Sequence, residues 1–112
     1  TGFNVSTADA LAYGVILQTV EDEDEALEYS RRTELQADCL AGIAMNSLAK
    51  ATGLTKKERQ LLREDNYSRG DREGYPRTHG APESGLHWIG VGLDTREIGR
   101  CNTFTATSKQ VE

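Results

Sequence analysis

Apolar residues at the start of the chain repeat at a helical interval. Ala8, Leu11, Ala12, Val15, Ile16, Leu17 and Val20 form a stripe that predicts a helix over 6–20, with Ser6 or Thr7 as N-cap and Asp9 in its first turn. The acidic run from Glu21 to Glu25 would oppose the dipole at a helix C-terminus but suits a helix start, so the chain is expected to turn there and begin a second helix. That helix should reach about Ala51, with Gly53 as its stop. Its apolar stripe reads Leu27, Ala37, Ala41, Met45 and Leu48, and places Glu34 within the stripe and Asp38 one turn on. Carboxylates on an apolar face need a partner, so Glu34 is expected to bond His79, Arg31 or Arg32.

Thr55-Lys56-Lys57-Glu58 has the form of a capping box and opens a third helix to about Asp65, with Leu54, Leu61 and Leu62 on its apolar side. A polar, proline-containing stretch from Asn66 to Pro82 reads as a long loop. A fourth helix is predicted from Pro82 to about Glu97. Gly85, Gly90 and Gly92 weaken it, while Leu86, Ile89 and Leu93 keep the helical interval. The expected fold class is therefore mainly α, a single domain over 1–104 followed by a frayed tail over 105–112.

Composition narrows the possibilities. The 112 residues carry a net charge of −5, which argues against a nucleic-acid partner, since such a protein would show a clustered basic face. No apolar run is long enough to span a membrane, and no signal peptide is visible in the chain. Aromatic residues make up only 6%, so the core must rest on aliphatic side chains. Cys39 and Cys101 match no metal-ligand spacing, and spacing alone leaves a bridge and two separate buried thiols equally open. Other catalytic schemes lack their residues: there is no G-x-S-x-G and no phosphate-binding glycine loop.

Four short strings, in order, resemble the motifs of the neutral zinc metallopeptidases. Tyr13, Gly14 and Gln18 stand in register with that family's H-E-[FY]-G-H-H-V-Q. Glu34-Leu35-Gln36-Ala37-Asp38-Cys39, followed by Ala41-Gly42, resembles its E-L-Q-A-D-C-[FL]-A-G. Thr78-His79-Gly80 resembles its T-H-G, Trp88 its S-x-E-Q-R-x-x-W-F, and Cys101-Asn102-Thr103-Phe104 its C-[DN]-T-F. The resemblance implies a zincin-like helical core, with Glu34 in the place of the third zinc ligand and His79 as a cleft residue. Because members tend to be exported, it also implies a Cys39–Cys101 bridge and a location outside the cell or in its envelope.

The departures matter as much. Leu11 and Val15 stand where the two zinc histidines belong, and Ala12 where the general-base glutamate belongs. Hydrolysis in such a site needs two imidazoles and a carboxylate around the metal, and a base to take the proton from its water. Methyl groups do neither. Ser84 and Gly85 likewise replace the family's Q-R pair, and the expectation is a helical core without the N-terminal sheet lobe that usually precedes the family's first motif. The expectation is a pseudopeptidase without cofactor, acting as a binding or structural module with a protein partner or a second copy of itself. Two rivals are a hydrolase with a site rebuilt from Glu34, Asp38 and His79, and a helical subunit of an envelope assembly.

Overall fold

The computed structural model describes residues 23–49 and 53–112. The helix predicted over 6–20, and with it Leu11, Ala12 and Val15, lies outside the described residues. Within them the fold is mainly helical, with no strand: α1 (Glu23–Leu48), α2 (Lys56–Ser68), α3 (Pro82–Thr95), and two 3₁₀ turns at Ile98–Cys101 and Ser108–Val111.

Each helix has a local cause. Glu23, Asp24 and Glu25 occupy the first turn of α1, where the helix dipole favours negative charge. Thr55 caps α2 by accepting from the Glu58 amide at 3.1 Å. Pro82 opens α3, where its missing N–H is no loss, and Arg96 closes it in the left-handed conformation at φ 54°.

Helix α3 packs across α1 with almost no side chain between them. A Cβ on Gly92 would lie 1.9 Å from the Cys39 carbonyl oxygen, and one on Gly42 2.6 Å from that of Ile89. The two backbones are therefore in direct contact, and only glycine fits either side of the crossing. The glycines that weaken α3 as an isolated helix are what allow it to pack. Asn46, buried one turn beyond, extends the contact: its amide donates to the Leu93 carbonyl at 2.7 Å and its oxygen accepts from the Leu54 amide. Beside the crossing, Leu35, Cys39, Trp88, Cys101 and Val111 form the buried core.

The apolar stripe of α1 is one position away from the one predicted. Ala26, Leu35, Cys39, Gly42 and Asn46 are buried, whereas Glu34, Ala37, Met45 and Leu48 are exposed. Hydrophobicity scored Met45 and Leu48 above Gly42 and Asn46, but backbone approach and hydrogen bonding decided the buried face.

Cys39 and Cys101 are bridged, with their Cα atoms 5.5 Å apart and 62 positions between them in sequence. A loop of that length corresponds to about 4 kcal/mol in the chain-entropy picture. Around the bridge α1 grips the C-terminal segment with polar side chains. Gln36 donates to the Cys101 carbonyl at 3.2 Å, Arg32 to those of Thr103 and Ala106, and the Thr103 hydroxyl to the Arg32 carbonyl.

The tail over 105–112, expected to fray, is docked instead. Val111 is fully buried, the Trp88 indole donates to the Gln110 carbonyl at 2.8 Å, and Arg31 donates to the Val111 carbonyl at 3.0 Å. One apolar residue and several backbone acceptors suffice, because the partners that use them lie far away in sequence. Helix α1 ends three residues short of the predicted Ala51, α2 runs on past Asp65 to Ser68, and α3 stops two residues before Glu97.

If the crossing is what holds the helices, Gly92→Ala should destabilise the protein by on the order of 3 kcal/mol or more. Gly99→Ala, where a Cβ meets nothing within 4 Å, should stay close to the natural stability. Urea unfolding of the two variants checks this, and equal midpoints would refute it.

Candidate functional site

The outer face of α1 carries Glu34 and Asp38 on successive turns, and both line a cleft of about 290 Å³. Helix α2 supplies Asn66 and Arg69 from its C-terminal end, and the following loop supplies His79. Gly70, Gly80 and Gly85 form the remaining wall. The three site residues expected from the sequence are thus brought together.

Asn66 joins the three helices at the floor of the cleft. Its amide donates to Asp38 Oδ2 at 3.3 Å and to the Gly85 carbonyl at 2.8 Å. Gly85 permits this, since a Cβ there would lie 3.1 Å from the Asn66 nitrogen. Burial pushes the Asp38 carboxyl above its ordinary 3.8; the Asn66 hydrogen bond pulls it down and the Glu34 carboxylate pushes it further up. The charges of His79 and Arg69 act weakly in the lowering direction.

Glu34 departs from expectation. It is exposed, and neither His79 nor Arg31 nor Arg32 bonds it. The two arginines are turned to the other side of α1, where they hold the backbone of Arg77, Thr103, Ala106 and Val111. Arg32 also pairs with Glu28 at 3.3 Å. A hydrogen bond from Ser108 is the main cause holding the Glu28 carboxyl below its ordinary 4.5, against burial and with help from Arg32.

The loop that presents His79 is fixed by Asp71, a residue the sequence reading passed over. Its nearly buried carboxylate accepts from the His79 amide at 3.0 Å and the Gly80 amide at 2.7 Å, while its own amide donates to the Gly80 carbonyl at 2.8 Å. Gly80, at φ 102°, sits directly over Leu35, whose side chain a Cβ would meet at 3.0 Å. An aspartate seven residues before the Thr-His-Gly string is the available signal, but a carboxylate bonding distant amides has no sequence periodicity. The His79 ring stays largely exposed, with Nδ1 2.8 Å from the Thr78 hydroxyl. His87 is also exposed and lies edge-on to Trp88, away from the cleft.

The chain belongs to the Putative neutral zinc metallopeptidase family, whose profile matches residues 14–104. No curated protein and no solved structure gave a significant match to the chain.

The residues present do not fit the zinc that the family name implies. Leu11 and Val15 offer no lone pair, and Ala12 cannot accept a proton. Among the described residues, no three His, Cys, Asp or Glu side chains converge as a metal-holding group. Glu34, Asp38 and His79 share the cleft without closing on a common point.

The Asp38 environment has a measurable sign. The folded protein holds the Asp38 proton more tightly than the unfolded chain does. This group's contribution to stability therefore falls as pH rises from 3.8 through its raised value. Asp38→Asn keeps an acceptor for Asn66 and removes the charge. It should match or exceed the natural stability at pH 7, and the difference should vanish below pH 3.8. Urea unfolding across that range checks the sign; marked destabilisation at pH 7 alone would reverse it.

Proposed function

We propose that this chain is a non-catalytic member of its family, a metallopeptidase-like domain serving as a binding or structural module without a cofactor. The observation that carries this is the residue set at the motif positions: Leu11, Ala12 and Val15 in place of two ligands and a base. The cleft supports the reading. One Asp38 oxygen accepts from Asn66 and His79 Nδ1 lies beside the Thr78 hydroxyl, so neither group is turned to a common metal position.

Two further features bear on where and with what the module works. The Cys39–Cys101 bridge suits an oxidising compartment, which favours a site of action outside the cytoplasm. No described helix is long and apolar enough to cross a membrane. Leu40, Met45 and Leu48 are exposed on α1, which favours a protein partner or a second copy of the chain.

A second reading, a hydrolase with relocated ligands, is favoured only by the meeting of Glu34, Asp38 and His79 in one cleft. Calorimetric titration of zinc into chelator-stripped protein at neutral pH separates the two. The proposal expects no saturable zinc binding at micromolar concentration and no cleavage of an unfolded protein substrate. Tight one-to-one binding with cleavage would establish the hydrolase.

A further inference from the structure

The cleft has walls of opposite sign. Glu34 and Asp38 face it from successive turns of α1, while Arg69 and His79 face it from the end of α2 and the loop beyond. Arg69, Gly70 and His79 also border a second, wider hollow of about 480 Å³, where Arg72 and Tyr75 join them. The carboxylate-lined groove therefore borders, across Arg69, Gly70 and His79, a hollow that is cationic and aromatic.

Among the described residues, no Lys, Arg or His side chain lies within ion-pair distance of Glu34 or Asp38. Asp38 is half-buried with one amide on one of its oxygens, which leaves acceptor capacity unused. Among the described residues Arg69 pairs with exposed Asp65, at 2.8 Å, so its guanidinium can turn to an anion in the groove.

We propose that this groove binds a small zwitterion, its ammonium group between Glu34 and Asp38 and its anionic end toward Arg69 and His79. The inference rests on the non-catalytic reading, because it assigns the cleft a ligand in place of a metal. An ammonium group suits the site better than a divalent ion. It donates three hydrogen bonds in diverging directions, whereas a metal needs donors that close on one point, and these do not. Size sets the class of ligand. A cleft of about 290 Å³ with three glycines in its wall admits a free amino acid or the first residue of a peptide.

Two ligand sources share this chemistry, and two sets of probes distinguish them. The intact, disulfide-bonded protein is screened by ligand-observed NMR against the free amino acids and a mixture of unblocked tripeptides, each at millimolar concentration, and against the same compounds N-acetylated. Binding by either unblocked set, lost on acetylation, is expected. Glu34→Gln and Asp38→Asn should each weaken it by about tenfold, as should Arg69→Ala. Circular dichroism and melting of each variant confirm that it is folded. No binding by either set, equal binding of acetylated compounds, or unchanged affinity in folded variants would overturn the proposal. A silent zinc titration alongside such a failure leaves the non-catalytic reading standing, while saturable zinc binding removes that reading whether or not amines bind.

Discussion

The direct contact of the α1 and α3 backbones at Gly42 and Gly92 is the constraint on which the other features depend. With a carbonyl of each helix pressed against a glycine of the other, the helices have one register and one separation. That register sets Asp38 near Gly85, leaving room for only the Asn66 amide between α1, α2 and α3. It also sets Cys39 close to Trp88 and Val111 in the core, with Cys101 within bridging distance. Any side chain at the crossing would separate the helices and disturb both.

Helix α1 divides its work between two sides. Arg31, Arg32, Gln36 and Cys39 hold the C-terminal segment through backbone carbonyls and one covalent bond. Glu34 and Asp38 line the cleft, with Leu35 buried under Gly80 between the two sides. One family string, Glu34 to Cys39, thus serves the scaffold as well as the cleft. Four of its six residues have a structural role, two through bonds to the C-terminal strand of chain, one through packing and one through the Asn66 bridge.

Much of this was legible in the sequence, and the failures share a cause. The helical class, the Thr55 cap and the start of α3 at Pro82 follow from local pattern. The buried side of α1 was misread because Gly42 and Asn46 are not hydrophobic, yet one admits a backbone and the other bonds two. Asn66 opens the polar, proline-containing stretch that reads as a loop, whereas its bonds to Asp38 and Gly85 belong to the last turns of α2. The tail reads as frayed because it is terminal, while its anchors, Arg31 and Trp88, lie far off in sequence. Asp71 escaped notice for the same reason. Local propensity reads helices well; polar groups that bridge distant segments leave no periodic trace.

The helix crossing, the bridge and the polar grip on the C-terminal segment account for the fold without a metal, and metal dependence of unfolding tests that most directly. Urea unfolding would be followed in chelator, in excess zinc, and in chelator after reduction of Cys39–Cys101. The midpoints in chelator and zinc should coincide, and reduction alone should lower the midpoint. A zinc site filled at a hundred times its Kd would add about 2.7 kcal/mol, well above the error of the measurement. A rise of that size in zinc would contradict the account and return the chain to the metalloenzymes.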